Sequence, residues 1–67
     1  MITDNDISNC FNKQKLYFES RVPDLTKPGA KTIAFIFYCK GDLFFVYYGV
    51  KEKRFTHIEE DGRRIEI

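Results

Sequence analysis

From Thr32 to Val50 the chain carries two successive stretches, residues 32–39 and 43–50, that are β-branched or aromatic at almost every position and separated only by Lys40-Gly41-Asp42. Neither stretch alternates between apolar and polar residues, so each reads as a strand whose side chains are apolar on both faces. Gly41 can take the positive φ that a two-residue hairpin turn demands. Either Lys40-Gly41 or Gly41-Asp42 can form that turn, and the choice flips the cross-strand register. A hairpin of this kind has two faces to cover, and few small folds can cover both.

The chain has 67 residues, which limits it to one small domain spanning 1–67. A domain of this size buries only about 60% of the surface its open chain exposes. Seven Phe and four Tyr are the visible compensation, because each aromatic ring can bury roughly 150–250 Å². With 43% apolar residues and a net charge of +1, the composition excludes a disordered chain and a polybasic arm.

Ahead of the hairpin, Thr3 followed by Asp6 resembles a capping box, and Asp4 and Asp6 suit the positive end of a helix. Ile7, Cys10, Phe11, Tyr17 and Phe18 fall near helical spacing. Residues 15–22 also alternate as a strand would. Pro23 disfavours helical geometry at Val22, and the spacing predicts a helix over about 4–20. Two prolines and a Pro-Gly pair make 23–30 a loop.

Beyond the apolar hairpin, Gly49 is expected to mark a bulge or a close approach to another backbone, and residues 50–54 form a charged turn or edge. Asp61-Gly62 between residues 54–58 and 63–67 is a strong type I′ signal. That turn sets Glu60 opposite Arg63, Glu59 opposite Arg64, Ile58 opposite Ile65 and His57 opposite Glu66. The expected architecture is α+β: one N-terminal helix packed on a four-stranded antiparallel meander, with strands at about 32–39, 43–50, 54–59 and 63–67. One helix covers one face of that sheet, so the other face must meet a curl of the sheet, a partner or a second copy of the chain.

Function is less constrained. Up to Ala30 the chain has four basic and four acidic residues, and from Lys31 onward seven and six, so neither half has the charge asymmetry of a strong phosphate-backbone binder. Cys10 and Cys39 lie in no CxxC pair and far from the lone His57 in sequence, which argues against zinc. They are expected to be two buried thiols in a reducing compartment, with a single disulfide as the alternative. The acidic first residues are unlike a secretory leader and no apolar run approaches the ~20 residues that span a bilayer. A cytoplasmic setting is therefore expected, in the host cell if the chain is phage-encoded. No cofactor is indicated.

Three groups of residues carry candidate chemistry. His57 with Glu59, Glu66, Arg54 and Arg64 has the residue types of a phosphodiester-cleaving site, but also those of a solvated hairpin face, and no nucleophile accompanies them. Glu59-Glu60-Asp61 has no calcium-loop spacing and reads as a charged turn. Phe44, Tyr47 and Tyr48, with Lys51, Lys53 and Arg54 nearby, suggest an aromatic surface with a basic rim, extended by Tyr38, Phe45, Phe55 and Lys40. Most of this cluster is expected to be core; the remainder serves protein contact ahead of base stacking on single-stranded nucleic acid. Residues 32–54 resemble the sheet of RelE/ParE-type toxins over about a third of the chain. Those toxins carry a pair of helices first, whereas this chain has room for one, so no catalytic residue is carried over.

The leading expectation is a small non-enzymatic interaction protein, an inhibitor or modulator of the kind phages and mobile elements encode, binding a host protein through Phe44, Tyr47, Tyr48, Lys51, Lys53 and Arg54. The alternatives are a β-rich nucleic-acid-binding domain using the same residues and a small ribonuclease-type toxin centred on His57.

Overall fold

Thr3 caps the first helix by accepting the Asp6 backbone N–H on its hydroxyl, while the Asp6 carboxylate accepts the Thr3 N–H, both at 3.1 Å. This closed capping box starts α1, Asp4–Ser20. The computed structural model describes residues 2–22 and 31–67; the loop expected at 23–30 lies outside the described residues. The strand alternative at 15–22 is not taken. Arg21 ends the helix, its N–H donating to the Phe18 carbonyl at 3.0 Å. Ile7, Phe11 and Phe18 form one buried stripe on α1, and that stripe decides between helix and strand.

Four strands follow: β1 Thr32–Cys39, β2 Asp42–Gly49, β3 Arg54–Glu60 and β4 Arg63–Glu66. They form one antiparallel sheet in the order β1-β2-β3-β4. The α+β meander expected from sequence is the observed fold, with strand ends moved by one residue at three strands. Lys40-Gly41 is the first turn, with Cys39 opposite Asp42, and both turn residues have positive φ, 51° and 85°. Asp61-Gly62 repeats that geometry at 47° and 84°, as type I′ turns require. All four expected β3–β4 pairs occur.

β2 and β3 slip by one residue. Tyr47 faces His57 but Tyr48 faces Phe55, leaving Thr56 as a bulge. The bulge sits beside Gly49 rather than at it. Gly49 itself is buried, and a Cβ there would press on the folded-back Glu52 side chain and on Thr56. What comes close to Gly49 is therefore side chains rather than the backbone expected, and its neighbours hold the bulge.

The core lies between α1 and the inner face of the sheet. Ile7, Phe11 and Phe18 meet Phe37, Cys39, Phe44, Val46, Phe55, Ile58 and Ile65. Phe11 approaches Phe55 edge-on at 5.2 Å, and Phe37 stacks on Phe44 at 5.5 Å. Such pairs add roughly 0.5–1.5 kcal/mol each beyond the area they bury.

The expectation of two separate thiols is corrected. Cys10 and Cys39 form a disulfide, with Cα atoms 5.8 Å apart and a sequence separation of 29. The start of α1 lies over the end of β1, shown also by Lys40 on Asp6 at 3.2 Å, and this sets the two cysteines at the separation disulfides prefer.

Candidate functional site

Strand alternation and the register sort the sheet into two faces. The inner face carries Ile33, Phe35, Phe37 and Cys39 from β1, and Phe44, Val46 and Tyr48 from β2. The outer face carries Ala34, Ile36 and Tyr38 opposite Tyr47, Phe45 and Leu43. No described element covers it. Ile36 is 55% exposed, Tyr38 64%, Leu43 40% and Phe45 37%. Ile36 faces Phe45 and Tyr38 faces Leu43 across the two strands, so the four make one contiguous apolar patch. Monomeric proteins rarely expose patches larger than a few hundred Å² without a use for them.

The outer face changes character at β3. His57 stacks on Tyr47 with ring centroids 4.6 Å apart. Its Nδ1 lies 2.9 Å from the Thr56 hydroxyl and its Nε2 3.1 Å from Glu59. On β4, Arg64 Nε donates to Glu66 at 2.7 Å, and Arg63 reaches across to Asp4 at the start of α1. The β3–β4 charges therefore pair along the strands or with the helix, although the cross-strand register is as expected. One half of the outer face is apolar and the other carries polar groups engaged with one another, while Arg63 lies on the inner side with α1.

The six residues singled out in sequence fall in three places. Phe44 is fully buried in the core, which corrects its assignment to a contact surface: with Lys40-Gly41 as the turn, Phe44 lies opposite Phe37 on the inner face. Tyr47 is on the outer face, half-buried beside His57. Tyr48 is on the inner face, where it meets Phe55 edge-on at 5.2 Å, so the two tyrosines do not form one platform. Lys51, Lys53 and Arg54 are exposed at the β2–β3 turn. Tyr48, Lys53 and Arg54 come together at a cleft of about 560 Å³ between the second half of α1 and the start of β3, which Lys15 and Glu19 also line. Lys53 takes a positive φ of 57° there.

Ile36 and Leu43 were not singled out. Their signal was present, since each sits across from a residue of the aromatic cluster, but it required the turn pair that the residues alone left open. His57 has both ring nitrogens engaged within the chain and a side chain only 14% exposed, a geometry that serves the bulge. Among the described residues, no group of three or more His, Cys, Asp or Glu is placed to hold a metal ion, and no helix is long and apolar enough to cross a membrane. Compared with known proteins, the chain matches no family model, no curated protein and no solved structure.

Proposed function

We propose that this chain is a small non-enzymatic interaction protein that acts by occupying the surface of another protein with the outer face of its β1–β2 hairpin. The observation that carries this reading is the contiguous patch of Ile36, Tyr38, Leu43 and Phe45, open on a face that α1 does not reach. Tyr and Phe at the centre with a polar edge is the composition of a protein contact, and the paired charges of β3 and β4 supply that edge. The contact residues are Ile36, Tyr38, Leu43, Phe45 and Tyr47. Lys51, Lys53 and Arg54 lie at the far end of the hairpin.

Nucleic-acid binding finds less support, because Tyr38 and Phe45 lie on the outer face while Lys53 and Arg54 line a cleft with the inner-face Tyr48. The one exposed ring with a cation over it among the described residues, Tyr17 with Arg21 at 4.9 Å, stands alone on α1. An inhibitor or modulator of the mobile-element kind fits a chain that works by occupancy. A cytoplasmic site of action fits the dithiol form, since cytosolic reductants keep such cysteine pairs reduced, whereas the disulfide form fits an oxidising compartment. The test is titration of purified candidate proteins with the wild-type chain and with Phe45→Ser, in oxidised and reduced form. Binding that Phe45→Ser weakens tenfold or more supports the reading. Binding only to single-stranded nucleic acid, falling steeply with salt, overturns it.

A further inference from the structure

The outer patch runs to the edge of the sheet, and among the described residues that edge is open. Among the described residues, no strand pairs with β1 on the side away from β2. Cys39 and Asp42 flank a two-residue turn and so form a hydrogen-bonded pair. Every second residue of β1 back from Cys39 then bonds to β2, a pattern that continues at Lys31, whose carbonyl accepts the Val50 N–H at 3.1 Å. The backbone N–H and C=O groups of Thr32, Ala34, Ile36 and Tyr38 point to the open edge, and the side chains of the same residues lie on the outer face.

The two edges of the sheet are unlike. β4 is four residues long, with Arg63, Arg64 and Glu66, a short and charged edge of the kind that resists pairing. β1 is eight residues long and contains no charged residue, no proline and no glycine. On the inner side, the helix face that bonds to β1 through Cys10 also carries Tyr17, which is exposed. The β1 edge is thus apolar on its outer flank, while on the inner flank the Arg21 guanidinium lies 4.9 Å from the Tyr17 ring.

We propose that β1 pairs antiparallel with β1 of a second copy of this chain, giving a two-fold dimer with one continuous eight-stranded sheet. This rests on the interaction reading above and states how its surface is completed. A two-fold axis beside Phe35 pairs the strand over its length. Ala34 faces the partner's Ile36 and Thr32 faces the partner's Tyr38, so each outward pair joins a small side chain to a large one. About eight backbone hydrogen bonds form across the axis, and no two lysines oppose each other. One patch exposes on the order of 400 Å²; two copies joined at β1 set their patches side by side on one face of the joined sheet and together offer a protein partner about the ~800 Å² per side of a standard interface.

The test is sedimentation equilibrium of the full chain from about 1 to 500 µM, with amide exchange measured at both ends of the range. The expected result is a rise from the 8.0 kDa chain to twice that mass, with the Thr32, Ala34, Ile36 and Tyr38 amides slowing at least tenfold as the dimer forms. Ala34→Lys and Ile36→Pro should remain monomeric at 500 µM with an unchanged far-ultraviolet spectrum, because these amides donate to nothing within one chain. A single 8.0 kDa species throughout overturns the proposal. So does a dimer that survives Ala34→Lys and is broken by Phe45→Ser, which would pair by faces, or protection of the four amides only when a foreign protein is bound. A strictly monomeric chain whose protein partner is lost with Phe45→Ser overturns the pairing and leaves the proposed function standing. A dimer that binds no other protein does the reverse.

Discussion

Phe44 and Phe45 are neighbours in sequence and opposites in role. Phe44 stacks on Phe37 in the core and Phe45 lies on the open face. Truncating a buried Phe costs about 3–5 kcal/mol, against a total stability of roughly 3–10 kcal/mol for a chain of this length. Phe44→Ala should therefore lower the urea midpoint severely, whereas Phe45→Ser should change stability by under about 1 kcal/mol; equal losses would contradict the facial assignment. Asp6 makes a second prediction at this scale. The Thr3 backbone N–H, then Lys40 and the Thr3 side chain, hold its carboxyl below the usual 3.8. A carboxyl more acidic in the folded chain stabilises it above the unfolded value, and that contribution is lost as pH falls through the folded one. Helix content should decline below about pH 4, starting at the Thr3 end, and Asp6→Asn should flatten that decline in a circular-dichroism titration. An identical acid transition in the two chains would show that the capping box carries no pH dependence.

Among the elements, the tie between α1 and β1 is covalent. Closing a loop with 29 residues of sequence separation removes chain entropy from the unfolded state worth roughly 3–4 kcal/mol. Reduction, or Cys10→Ser with Cys39→Ser, should lower unfolding free energy by about that amount in urea melts; unchanged melts would mean the helix docks without the tie. The elements also differ in how far their sequences disclose them. β3 and β4 announce their register because Asp61-Gly62 permits one tight turn and sets the acidic Glu59 and Glu60 opposite the basic Arg64 and Arg63. α1 is legible through Ile7, Phe11 and Phe18, whose spacing makes a single stripe. β1 and β2 announce their existence but not their facing, since residues apolar on both sides leave no polar marker for the outer face. That ambiguity placed Phe44 on a surface and left Ile36 and Leu43 out. The cysteine pairing was hidden for another reason: it depends on how the helix lies over the strand, which no local pattern encodes.

For the whole molecule, the decisive fact is a mismatch of areas. The two apolar strands, the edge strand β1 and its neighbour β2, are backed by a helix on one side only, and on the other side the polar groups of β3 and β4 are engaged with each other: His57 with Glu59 and Arg64 with Glu66. The apolar half of the outer face is left uncovered by any described element, and the proposed function rests on it. The most direct test is attenuation of side-chain NMR signals by a soluble paramagnetic probe in a dilute sample of the isolated chain. Signals of Ile36, Tyr38, Leu43 and Phe45 should be strongly attenuated, while those of Phe37, Phe44, Val46 and Ile58 stay intact. Equal protection of the two sets would mean that the chain hides its own outer face, and the account of it as an interaction protein would fail.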